Sequence, residues 1–175
     1  MKKILFILSF ILSFSMITAQ EKAKSIFDIA RSGTVTEVKE LMKQNPDVIN
    51  QTNENGFSPL ILACYRGNNA VAEFLIDSVK DLNYGSTQGS ALTAAVFKSN
   101  KLLTQKLLKK GADPNLADSN GVTSLIYAVQ LQDKELVELL LQNKAKKEIV
   151  DKQGKTAFEY ALFAKNQEII NLLKQ

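Results

Sequence analysis

One small residue recurs through this chain at nearly constant spacing. Alanine stands at Ala63, Ala95, Ala128 and Ala161, steps of 32, 33 and 33 residues. Three positions earlier the chain reads Leu60, Leu92, Leu125 and Phe158. Downstream, Val71, Leu103, Leu136 and Ile169 share one register, and Leu75, Leu107, Leu140 and Leu173 share another. A period of this length, kept over four copies, is the signature of an array in which each unit buries its apolar side against the next.

Each copy reads as two short helices. Ser58 to Arg66 places apolar residues at Leu60, Ala63 and Cys64, and Ala70 to Ile76 places them at Val71, Phe74 and Leu75, which is helical spacing in both segments. Gly67 lies between them, where a residue free to take positive φ ends one helix and starts the next. Ser58 before Pro59 is an N-cap with proline in the first turn, and Thr123 and Thr156 hold the same place in later copies. The polar connectors Asp118 to Gly121 and Asp151 to Gly154 read as hairpin-like turns. A small side chain in each first helix lets stacked helices approach closely.

Gly56-Phe57-Ser58-Pro59-Leu60 and Gly111-Ala112-Asp113-Pro114-Asn115 resemble the helix start and the exit turn of ankyrin repeats. The resemblance runs over residues 25–175 and implies an all-α solenoid of stacked helix-turn-helix units with hairpin-like connecting turns. A more divergent unit leads, with Ile26, Ala30, Gly33, Val38 and Leu41 in register, so about five units are expected, near 25–52, 53–84, 85–117, 118–150 and 151–175. Glu37 and Glu40 in the first unit, and Lys174 in the last, replace apolar residues of the second and read as polar caps that begin and end the array. The sequence also departs from the family. The histidine that ties neighbouring turns is replaced by Ile61, Thr93, Ile126 and Glu159, which implies a looser array. The third unit is one residue shorter and has Gln88 where Gly56, Gly121 and Gly154 stand, so its hairpin, Tyr84 to Gly89, is expected to be the least regular.

Ahead of the array, Lys2 and Lys3 precede an apolar run from Ile4 to Ile17, with Ala19 next to Gln20. This is the layout of a secretory signal peptide over residues 1–19, followed by a short linker, 20–24. The run is shorter than the roughly 20 apolar residues that span a bilayer. A periplasmic or secreted chain is therefore expected, with no membrane contact once the segment is cleaved; retention would instead give a membrane-tethered organiser. Loss of residues 1–19, which hold two lysines and no acid, takes the formal charge from +4 to +2, and that weak balance argues against a nucleic-acid partner. Cys64 is the only cysteine, so no intramolecular disulfide forms.

The chain has no histidine, which removes the commonest general base and metal ligand. Cys64 falls where a small buried residue is expected. Glu135 and Glu138 flank apolar Leu136 and Val137 and read as solvent-facing charges, and Gly85 to Gly89 lacks the residues of a nucleotide loop. No catalytic, cofactor or metal residue is assigned, and an enzyme working through paired carboxylates is the weaker reading. The resemblance implies instead a monomeric module that holds another protein against its hairpins and first helices. Exported bacterial relatives of that kind are associated with stress protection or toxin neutralisation. The family's contact positions fall here on Phe57, Tyr65, Arg66, Phe97, Lys98, Val122, Gln130, Leu131, Lys155 and Phe163, a set rich in the aromatic and basic residues of interface hot spots.

Overall fold

The computed structural model describes residues 24–174; the leading segment read as a signal peptide lies outside them. The described chain forms five helix pairs, and each pair owes its start to a short polar cap. Ser25, Ser58, Ser90, Thr123 and Thr156 each accept the backbone N–H three residues on, opening helices α1 (Ile26–Ser32), α3 (Pro59–Arg66), α5 (Ala91–Phe97), α7 (Ser124–Gln130) and α9 (Ala157–Ala164). Their partners are α2 (Val35–Gln44), α4 (Asn69–Ile76), α6 (Lys101–Lys109), α8 (Lys134–Gln142) and α10 (Gln167–Lys174). The first helices pack in the order α1, α3, α5, α7, α9, and the second helices stack beside them in the same order. This is the expected array, with the boundaries set by the 32- to 33-residue spacing of the caps.

A single apolar core runs through the stack. The alanine row is fully buried at Ala63, Ala95, Ala128 and Ala161, and Leu60, Leu92, Leu125, Leu75, Leu107 and Leu140 are almost completely so. Cys64 is buried as well, and burial pushes its thiol up to about 12, so it stays protonated and unreactive near neutral pH.

One expectation is corrected. The third hairpin is the best formed, because its loop is a residue shorter. β1 (Gly85–Ser86) and β2 (Gly89–Ser90) pair antiparallel across Thr87-Gln88, with Gly89 supplying the positive φ of +99°. They are the only paired strands of that length among the described residues. Other hydrogen bonds join the units of this array. Asn50, Asn83 and Asn115 accept the backbone N–H of Lys80, Asp113 and Lys146 in the following units, at 2.9, 2.8 and 2.7 Å. Thr93, at one of the histidine positions, lies 3.4 Å from the Ser124 hydroxyl. The hairpins are linked too, through Ser119 N–H to Thr87 O and Lys152 N–H to Asn120 O, both at 2.9 Å. Asn50 also donates to Asp47 at 2.8 Å, so the one Asn-x-Thr sequon that begins at this residue is occupied by structural bonds.

The turn inside each pair explains another sequence choice. Gly67 takes φ +72°, but the equivalent Ser99, Gln132 and Lys165 adopt the same left-handed conformation at +50°, +56° and +55°. A side chain there is strained. Ser99→Gly is therefore expected to stabilise the chain by about 0.5–1 kcal/mol, relief of strain outweighing the added freedom of the unfolded chain; a rise in the urea midpoint would show it.

Acid should loosen the array. Tyr160 donates its hydroxyl to Asp151, and with the Lys155 backbone N–H it holds that carboxyl below the usual carboxylate range. Glu37, Asp47, Asp77 and Glu159 are lowered in the same direction, each first by a hydrogen bond, from Lys24, Lys80, Lys110 and the Thr156 backbone N–H respectively. A carboxyl with a lowered folded value contributes stability that is complete above its unfolded value, near 4, and is lost as pH falls through the folded one. Urea midpoints are expected to be flat from about pH 7 to 5 and to drop below about pH 4, with Asp151→Asn less stable at neutral pH and less acid-sensitive.

Candidate functional site

The hairpin tips of the second and third units and the first helices of the leading four units form the two walls of an open groove of about 940 Å³. Asn55, Phe57, Thr87 and Gln88 come from the hairpins; Arg31, Tyr65, Arg66, Phe97 and Tyr127 come from the helices. Its size is that of a ligand-binding cleft, and its lining mixes aromatic rings with amide and hydroxyl groups.

Tyr65 and Phe97 line up along the helix wall because the repeat places them at one register, and Tyr127 joins them from one turn earlier on its helix. The Tyr65 and Phe97 rings stack with centroids 5.9 Å apart and planes 15° from parallel, and Phe97 meets Tyr127 edge-on at 5.8 Å. Both arrangements suit the ring quadrupole. Lys98 holds its ammonium 5.6 Å from the centre of the Tyr65 ring. Tyr65 and Phe97 nevertheless remain 45% exposed, which marks the row as a surface rather than as core. Tyr127 is fixed at the far end: its hydroxyl donates to Asp118 Oδ2 at 2.8 Å, while Asp118 Oδ1 accepts the N–H groups of Asn120 and Val122 that shape the hairpin. Burial and then Asp118 push the Tyr127 phenol up to about 12, so it remains a neutral donor.

Of the contact residues read from the sequence, Phe57, Tyr65, Arg66 and Phe97 line this groove, and Lys98 sits above it on the Tyr65 ring. The others lie elsewhere. Val122 is half-buried against the core. Lys155 lies 5.5 Å from the centre of the Tyr160 ring. Gln130 and Leu131 end α7 in solvent, and Phe163 is 87% exposed beyond the groove. Tyr127, Thr87 and Gln88 line the groove but are absent from that reading. Tyr127 precedes Gln130 by one turn on the same helix, so i, i+3 spacing points to it. Thr87 and Gln88 belong to the hairpin whose glycine is shifted by one residue, which hides them from a register alignment.

The groove is poorly equipped for chemistry. Glu54 is the one carboxylate among its lining residues. Glu135 pairs with Lys101 at 2.6 Å, and Glu138 lies 3.9 Å from Lys134, both on α8. Among the described residues no group of three or more metal-ligating side chains comes together, and no helix is long and apolar enough to cross a membrane.

Two curated proteins share this pattern. The chain is 34% identical over 110 residues to the ankyrin repeat and SAM domain-containing protein 6 of Rattus norvegicus and to that of Mus musculus. Each match takes in 61% of this chain but 12% of the relative, so the chain spans only a small part of those proteins. The family description "Ankyrin repeats (3 copies)" matches residues 26–118 and again 92–175. Those two stretches together take in every helix pair described above, and the chain belongs to the ankyrin-repeat family.

Proposed function

We propose that this chain is an exported, non-enzymatic module that holds a partner protein in the groove between its hairpins and first helices. The observation that carries the reading is the row of exposed Tyr65 and Phe97 closed by half-buried Tyr127, held together by ring contacts and bordered by Arg66. Aromatic rings and arginine contribute most to protein interfaces because they cover much area at small entropic cost. Family membership supports a binding role. Export rests on the basic start, the apolar run Ile4 to Ile17 and the small residue Ala19. A mature chain beginning at Gln20 by mass spectrometry is expected; a chain that keeps residues 1–19 in the membrane fraction would make it a tethered organiser.

Replacing Tyr65, Arg66 and Phe97 together by alanine is expected to abolish affinity capture of the native partner while leaving the helical circular dichroism intact, since all three side chains are exposed. Loss of one aromatic anchor commonly weakens an interface by about 2 kcal/mol or more, roughly 30-fold. Undiminished capture would move the site elsewhere. A single tight cognate partner would fit an immunity or inhibitor role, and several partners a stress-protective one.

A further inference from the structure

We infer that the occupant of the groove is an extended peptide segment that carries carboxylates beside an apolar or aromatic side chain; this rests on the groove being the partner site. Charge is the first reason. The helix wall presents Arg31, Arg66 and Lys98, one cation from each of the first three units, against Glu54 on the hairpin side. Arg31 is partly committed to Asp28 at 3.3 Å, and Lys98 to the Tyr65 ring. The Arg66 guanidinium has no ion pair or hydrogen bond to any described residue. An exposed guanidinium beside an aromatic notch, with its donors unused, is suited to take a carboxylate through two parallel hydrogen bonds.

The opposite wall gives the second reason. Asn55, Thr87 and Gln88 are exposed on the hairpin tips, and their amide and hydroxyl groups are of the kind that satisfies the backbone of an extended chain. A peptide laid along this wall puts alternate side chains toward the helix wall, as in other strand-like recognition. One of them meets the Tyr65 and Phe97 rings while its acidic neighbours reach Arg66 and Lys98.

A single-stranded nucleic acid, the other polyanion that favours aromatic and basic grooves, is served less well. Bases need free ring faces, and here Tyr65 is stacked on Phe97 and overlain by Lys98. Three cations also provide no continuous phosphate track.

The test is fluorescence polarisation on the full chain with labelled eight-residue probes of the pattern Gly-Glu-Glu-Phe-Leu-Glu-Glu-Gly, the Gln-substituted and Lys-substituted counterparts, and an oligothymidylate of eight nucleotides. The acidic peptide is expected to bind at least 10-fold more tightly than the other three. Its affinity should fall at least 10-fold in Arg66→Ala and at least 3-fold in Lys98→Ala, both with unchanged circular dichroism. Equal binding of the Gln peptide, preference for the oligonucleotide, or indifference to Arg66→Ala would overturn the assignment. The outcomes separate cleanly from those of the wider reading: if alanine at Tyr65, Arg66 and Phe97 abolishes capture of the native partner but the acidic probe shows no preference, the groove remains the site and its acidic occupant is rejected.

Discussion

Leu125→Ala is expected to lower the unfolding free energy by about 3 kcal/mol and to broaden the urea transition followed by circular dichroism. Leu125 is 1% exposed on α7, which packs against α5 on one side and α9 on the other. Truncation removes the transfer free energy of three carbon groups and leaves a void that rigid neighbours fill only in part. In a stacked array, stability is close to a sum of unit terms and nearest-neighbour terms, so a void in the fourth unit weakens two interfaces and lets the flanking units unfold apart. Leu173→Ala in α10, which packs mainly against α8 and α9, should cost less and leave the main transition sharp. Equal losses and an unbroadened transition at Leu125 would mean that the stack behaves as one cooperative core.

Gly121→Ala is expected to cost about 2–4 kcal/mol, whereas the same change at Gly154 costs about 1 kcal/mol. The two glycines occupy the same hairpin position and have nearly the same conformation, φ +79° and +72°, so the backbone penalty for a side chain is shared. Their surroundings differ. A Cβ at Gly121 would stand 3.0 Å from the Asp151 Cα and 3.2 Å from the Lys152 nitrogen, but one at Gly154 would meet nothing within 4 Å. Relief at Gly121 must come from backbone movement in the next hairpin, where the Lys152 N–H bonds Asn120 O at 2.9 Å and Asp151 holds its own turn. Matched thermal melts of the two variants isolate the clash from the conformational term. If they melt together, the hairpins of the fourth and fifth units are not in the contact the structure gives them.

These two cases show how the sequence divides its information. The unit length, the alternation of helices and the buried rows were legible because burial imposes a period on residue type: Ala63, Ala95, Ala128 and Ala161 must be small for helices to meet, and Leu60, Leu92 and Leu125 must be apolar to fill the gaps. The Ser and Thr caps were legible for a similar reason, since each supplies a local hydrogen bond within three residues of itself. Gly121 and Gly154, by contrast, look alike in the sequence. Their difference comes from what the next unit brings near each of them.

The site followed the same division. The resemblance to ankyrin repeats put Phe57, Tyr65, Arg66 and Phe97 at contact positions, and all four line the groove. It placed Phe163 on the same line, although that ring stands apart in solvent, and it passed over Tyr127, whose orientation comes from Asp118. The asparagines that tie units together were equally silent, because each bonds a backbone about thirty residues away. The sequence by itself determined the repeating unit, its helices and its buried rows, all consequences of local spacing and of burial. Only the tertiary structure decided which exposed rings share a groove and which glycine faces a neighbour's backbone, because those depend on distances between units that no single unit encodes.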